Sequence, residues 1–190
     1  YVSEADLGWK PYIASWIQVR TKDGALISPL IDKYGQSLLN FVRVECRPKM
    51  VINEISLMTS FTNLMDALLD DLLESPDDVA MERYTIYSLM WSIAGVLESA
   101  DRAKVDKHLR TLTNTLPECE APDTVYEYRV DEENKFQWSQ WGAIIPTWEF
   151  HSDEPKDIGK EFASLLIPTI DSVRCEFNLN LNVKRKRHCL

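Results

Sequence analysis

Between Pro76 and Leu97 the apolar positions run nearly all round any helix that could be drawn through them. They are Tyr84, Ile86, Tyr87, Leu89, Met90, Trp91, Ile93, Ala94, Val96 and Leu97. Two-residue alternation is absent, and the run is too long for one ordinary strand. The pattern therefore predicts a helix buried on several sides. Ser75 stands where a cap is needed, Pro76 at the first helical position, and Asp77 and Asp78 in the first turn. Gly95 weakens the last turn, so it either permits a close helix crossing or begins the exit.

The flanks supply neighbours. Gly8 predicts a turn, and from Pro11 a short helix presents Tyr12, Ile13, Trp16 and Ile17 on one face. Thr21 to Ile27 reads as a loop around Asp23-Gly24. Ser28-Pro29 then reads as a helix start, followed by Leu30, Tyr34, Leu38, Phe41 and Val42 at helical spacing as far as Cys46, with Pro48 closing it. Asn53 is placed to cap a third helix, in which Ile55, Met58, Phe61, Met65, Leu68 and Leu72 recur every three or four residues. Asp66, Asp70 and Asp71 fall on or near its polar side. After the central run, Ser99 is placed to cap a helix with Val105, Leu109, Leu112 and Leu116 on one face and Asp101, Lys104, Lys107 and Arg110 toward water. Four helices joined by short turns form a compact helical unit.

The texture changes at Pro117. PECEAPD reads as a linker. Alternation follows, with Tyr126, Tyr128 and Val130 on one side, then a polar turn over 131–135, then Phe136 and Trp138. This predicts an antiparallel hairpin over 124–139. An isolated hairpin is barely stable, so Trp141, Ile144, Ile145, Trp148 and Phe150 should pack on the helices or on a neighbouring unit. His151 to Lys160 is polar, Phe162 to Leu166 is a short apolar patch, and Pro168 breaks it. Thr169 is placed to cap a last helix with Ile170, Val173, Phe177 and Leu181 on one face, ending in the basic turn Lys184 to Arg187.

Composition narrows the function classes. A net charge of -9 over 190 residues argues against a general nucleic-acid binder. No unbroken apolar run reaches the roughly 18 residues of a membrane span, and the N-terminus carries no secretory apolar core. Cys46, Cys119, Cys175 and Cys189 are scattered and read as reduced residues rather than a disulfide framework or a zinc site. The first residue is Tyr1 and the last segment stops at His188-Cys189-Leu190, which reads as an excerpt of a longer or processed chain. No G-x-x-x-x-G-K-[ST] loop, G-x-G-x-x-G or H-E-x-x-H is present. His108, His151 and His188 lie far apart and read as surface or incidental residues. Asp70-Asp71 and Asp77-Asp78 lack a calcium-loop pattern and read as solvated faces and helix-start charges. Ser56, Ser60 and Ser88 have no elbow or paired base. The tryptophans read as packing residues.

Seven segments, in this order and spacing, carry a resemblance: LGWKPYIASWI (7–17), LNFVRVEC (39–46), SLMTSFTNLMDALL (56–69), YSLMWSIAG (87–95), DRAKVDKHL (101–109), VYEYRVDEENKFQW (125–138) and IPTIDSVR (167–174). Together they resemble the motor region of a dynein heavy chain, and the Trp-rich hairpin is more similar to the axonemal than to the cytoplasmic members. The match covers essentially the whole chain. It implies a mainly α fold: a helical bundle of the AAA+ small or lid type, then a β-hairpin and the opening helix of a next AAA+ module. Residues 1–17 would end the AAA2 large subdomain, 18–116 form the AAA2 lid, 117–160 the linker and hairpin, and 161–190 the start of AAA3.

The resemblance also implies a non-catalytic coupling segment. ATP or ADP with Mg²⁺ would be used by the parent motor, not bound by a cofactor site of this segment. Partners would be the neighbouring AAA+ modules, with dynein intermediate and light chains and microtubules reached through the parent protein. Nucleic acid and membrane are not expected partners. The location would be the cytoskeleton of the cytoplasm and the cilium axoneme. By position, Ile167, Pro168 and Thr169 are adenine-side candidates, or they simply start a helix. The phosphate loop, Walker B acid, arginine finger, stalk and microtubule-binding domain of the family are not in this sequence. The alternative is a free-standing helical interaction domain with its own partner-binding face.

Overall fold

A computed structural model describes residues 8–50, 53–70, 72, 76–148 and 167–187. Six helices and one hairpin follow in order: α1 Lys10–Val19, α2 Gly24–Glu45, α3 Glu54–Leu69, α4 Asp78–Ile93, α5 Ser99–Leu112, β1 Tyr128–Asp131, β2 Gln137–Gln140 and α6 Ile170–Lys184. Short 3-10 turns at Val125–Glu127 and Trp141–Ile144 flank the hairpin. Ser75, Asp71, Phe150, His151, the patch 162–166, His188 and Cys189 lie outside the described residues.

Helix α4 is the centre, and it is buried on nearly every side from Ala80 to Ile93. Its main neighbours are α3 and α2. α2 offers Ile27, Ile31, Tyr34, Leu38 and Val42, and α3 offers Met58, Phe61 and Met65. These faces repeat at three and four residues, so each helix buries one stripe while α4 between them buries its whole circumference. The cap of α4 is Asp77, whose carboxylate accepts the Ala80 N–H at 2.7 Å. Pro76 therefore precedes the cap instead of opening the helix. Gly95 stands in the exit turn, where a Cβ would lie 2.3 Å from the Trp91 carbonyl oxygen.

Two other helix starts differ from the sequence reading. α2 starts at Gly24, and Pro29 sits inside it. The earlier start is anchored by Arg20, which grips Asp23 with two donors at 2.6 and 2.7 Å. The Asp23 carbonyl then accepts the Ile27 N–H at 3.1 Å. Only glycine fits at position 24, because an added Cβ would lie 2.7 Å from the Ile17 carbonyl of α1. α5 is preceded by Glu98, not capped by Ser99. Asn53 does cap α3, accepting the Ile55 N–H at 3.0 Å.

The hairpin is shorter than the alternation predicted. Its register pairs Tyr128 with Gln140 and Asp131 with Gln137. Tyr126 belongs to a 3-10 turn because Asp106 takes the Val125 N–H at 2.8 Å and Thr124 takes the Tyr126 N–H at 3.4 Å. Both donors would otherwise be free for a strand partner. Phe136 leaves the strand pattern too: it adopts φ 57° in the turn, and Arg83 donates to its carbonyl at 3.0 Å.

Candidate functional site

Helix α6 has no buried residue along its whole length. It nevertheless lies on the bundle, against α3 and against the 3-10 turn at Trp141–Ile144. The seam between α6 and the rest is the place where two parts of the chain meet through specific side chains.

Its middle is aromatic. Trp141 is fully buried and donates its indole N–H to the Tyr126 carbonyl at 3.0 Å. Phe177 of α6 meets that indole edge-on at 5.3 Å between centroids. The Tyr87 hydroxyl donates to the Asn178 side chain at 2.9 Å. Burial holds the Tyr87 phenol well above its usual range, with Asn178 opposing weakly, so it stays neutral and able to donate.

Trp91 forms the second part. It is only half-buried, in contrast to the fully buried core of α4 around it. The Arg102 guanidinium lies 5.6 Å from one side of the ring system, and that of Arg174, from α6, lies 5.7 Å away. Tyr126 meets Trp91 edge-on at 5.5 Å. Arg174 also reaches Glu127 at 3.4 Å and pairs with Asp171 in its own first turn. One tryptophan thus touches the bundle, the linker turn and α6.

At the other end, Arg20 gathers three carboxylates. It contacts Asp66 at 2.7 Å and Asp70 at 3.0 Å besides Asp23. Asp66 also accepts the Trp16 indole N–H at 2.9 Å. Partial burial opposes the charge on Arg20, but Asp23 and Asp70 outweigh it and raise its affinity for the proton. Arg185 stands 3.7 Å from Asp70, and Arg187 stands 3.9 Å from Asp66. A cleft of about 510 Å³ opens beside this cluster, lined by Trp16, Val19, Leu69 and Pro76 among others. Asp70 is exposed, as a solvated charge should be, and is an ion-pair partner as well.

The adenine-side candidates have plain positions. Ile167 and Thr169 are exposed and Pro168 is half-buried. Thr169 caps α6 in a reciprocal box: its hydroxyl accepts the Ser172 N–H at 3.2 Å, and Ser172 accepts the Thr169 N–H at 2.9 Å. Of the tryptophans outside the central helix, Trp9 and Trp141 are buried, Trp16 is half-buried on α3, and Trp148 is exposed. His108 is half-buried: its ring stacks on Phe41 at 4.2 Å and shares a hydrogen bond with Ser37 at 3.0 Å. Among the described residues no cluster of three or more His, Cys, Asp or Glu could hold a metal ion, and no helix is long and apolar enough to cross a membrane.

Sequence reasoning missed Arg20, Asn178 and the pair of arginines on Trp91. The only signal was the i, i+4 spacing of Asp66 and Asp70, which puts both carboxylates on one face of α3.

Comparison with known proteins gives one family and a consistent set of relatives. The family described as "Dynein heavy chain AAA lid domain" matches residues 27–143, a span that includes the hairpin. The "Dynein gamma chain, flagellar outer arm" of Chlamydomonas reinhardtii is 34% identical over 186 residues, 96% of this chain and 4% of the relative. The human "Dynein axonemal heavy chain 2" is 30% identical over 93% of this chain and 4% of its own length. The "Dynein-1-beta heavy chain, flagellar inner arm I1 complex" of Chlamydomonas reinhardtii is 28% identical over the whole chain and 5% of its own length. The chain thus spans only about one twenty-fifth of the first of these relatives.

Proposed function

The chain belongs to the dynein heavy chain AAA lid family, and we propose that it is a non-catalytic joint between two AAA+ modules of a dynein motor ring. Residues 1–17 end the AAA2 large subdomain, 18–116 are the AAA2 lid, 117–160 are linker and hairpin, and 161–190 open the AAA3 large subdomain. ATP with Mg²⁺ is turned over elsewhere in such a motor. Microtubules and the intermediate and light chains are partners of the whole protein. The flagellar and axonemal names of the relatives favour the axoneme as its location.

One observation carries this reading. Trp141, from the segment after the hairpin, is locked to Tyr126 on one side and to Phe177 of α6 on the other. A rotation of the lid about a nucleotide site would therefore be transmitted to α6 through packed rings as a rigid-body movement. Ile167, Pro168 and Thr169, just before α6, are the residues we place beside an adenine. Their exposure and the fixed cap at Thr169 support that placement.

The test uses an intact axonemal heavy chain. Trp141→Ala should leave basal ATP hydrolysis within about twofold but cut microtubule gliding velocity several-fold, roughly the cost of a misplaced coupling element. Unchanged gliding in a folded variant overturns the joint. Photolabelling with 8-azido-ATP should mark the peptide containing 167–169. Label confined to other peptides overturns the adenine-side placement.

A further inference from the structure

We propose that the Arg20–Asp66–Asp70 cluster is a receptor for the basic turn that follows α6, and that the pairing is an ionic latch on the far end of that helix. The inference rests on the reading of the chain as a joint. It names the contact that can open while the aromatic part of the seam stays closed.

The division of the carboxylate oxygens carries the argument. Asp66 and Asp70 each give Oδ1 to Arg20, at 2.7 and 3.0 Å. Each turns Oδ2 toward the basic turn: Asp70 Oδ2 toward Arg185 and Asp66 Oδ2 toward Arg187. Arg20 alone cannot neutralise its surroundings, because Asp23 takes two of its donors. Asp66 and Asp70 therefore keep one oxygen each for a second cation, and Arg185 and Arg187 meet those oxygens. A guanidinium is the cation suited to this task, since it stays charged and is weakly hydrated.

The backbone aims the turn. Lys186 adopts φ 54°, in the left-handed region, and the Arg185 and Arg187 N–H groups both return to the Asn182 carbonyl at 3.1 and 3.0 Å. That closure ends α6 and brings residues 185 and 187 over the same face of α3. Lys184 and Lys186 are exposed.

The latch is built to be reversible. At 3.7 and 3.9 Å the two contacts are ion pairs beyond hydrogen-bond length. Arg187 is about half exposed. Such pairs are weak singly and screened by salt. The rest of α6 is held differently: its middle by Phe177 on Trp141 and Asn178 on Tyr87, which salt hardly touches, and its start by Arg174, which is mostly buried between Trp91 and Glu127 and so is screened less than the exposed end. Helix α6 therefore has a fixed half and a half that charge alone can release. On that second half Leu179 and Val183 are exposed and Leu181 is only half-buried, so apolar burial there is slight.

Hydrogen exchange of the 190-residue chain tests the latch. Amides of 179–187 should exchange at least about threefold faster in 0.5 M than in 0.05 M NaCl, while those of 173–178 change little. Arg185→Gln/Arg187→Gln should be fast at both salt concentrations, and its neutral side chains keep the fold intact. Arg185→Glu should be faster still, and adding Asp70→Lys should restore slow exchange. Equal salt response in both halves, or wild-type exchange in the double Gln variant, overturns the latch. Neither result touches the Trp141 gliding test, so the joint and its latch fail separately.

Discussion

Asp106 accepts the backbone N–H of Val125 at 2.8 Å while holding Arg110 with both of its oxygens. A buried carboxylate of α5 thereby decides where the linker re-enters the core. Val125 and Tyr126 are buried as a consequence, and Tyr126 then receives the Trp141 indole. Asp106→Ala should cost about 3 kcal/mol, because it strands a buried amide and leaves a guanidinium short of its partner. Urea unfolding measures the loss. The tryptophan emission of the folded state should shift to the red as Trp141 loosens, and an unchanged spectrum would show that the linker does not depend on Asp106.

Trp91→Ala should cost less than a core aromatic. A fully buried ring is worth about 3–5 kcal/mol on truncation, and a half-buried one clamped by two arginines about 2. The same variant should speed exchange at the start of α6, where Arg174 loses its ring. A loss above about 4 kcal/mol in thermal or urea unfolding would place Trp91 in the core after all.

Glu82 joins α4 to α2. Burial pushes its carboxyl upward, but the Tyr34 hydroxyl and the Lys33 ammonium at 3.1 Å outweigh that and hold it below the usual range. A carboxyl depressed in the folded state adds stability above its unfolded pKa, near 4.5, and loses it as pH falls through the lower folded value. Glu82→Gln should therefore cost about 1–2 kcal/mol at pH 7. The gap to wild type should close below about pH 4. Denaturant titrations at several pH values check this; a gap that widens in acid would reverse the assignment.

His108 titrates in a milder window. Burial against Phe41 lowers its affinity for the proton. The unfolded chain then takes up a proton more readily, so stability present above the ordinary histidine pKa of about 6.5 is lost as pH falls below it. Wild type should lose stability between pH 7.5 and 5.5 beyond what His108→Gln loses. Parallel slopes in the two proteins would remove His108 as the cause.

The thiols differ in exposure. Burial raises the Cys46 and Cys119 thiols above their usual range, whereas Cys175 is exposed. Under mild alkylation at pH 7.5, Cys175 should react at least about tenfold faster than Cys46 and Cys119. Mass spectrometry of the peptides reads the order directly.

Periodicity alone determined the helical bundle, because the apolar stripes of α2 and α3 and the all-round apolar surface of α4 require one another as neighbours. It also determined the caps that are local, Asn53 and Thr169, whose side chains reach amides two or three residues away. The start of α2 could not be read that way. It depends on a glycine packed against Ile17 of α1, a contact that exists only once α1 and α2 have folded against each other; the Arg20–Asp23 grip beside it spans only three residues. Likewise Tyr126 alternates as a strand residue should, yet Asp106 captures the amide of Val125, nineteen positions after it, and makes a turn. The docking seam belongs wholly to the tertiary level. Tyr87 and Asn178 stand 91 residues apart, and Arg20 and Asp66 stand 46 apart. No local pattern specifies which donor meets which acceptor over such separations; the packing of α6 and α1 on α3 and α4 brings the groups together, and only then do their charges and hydrogen bonds choose partners.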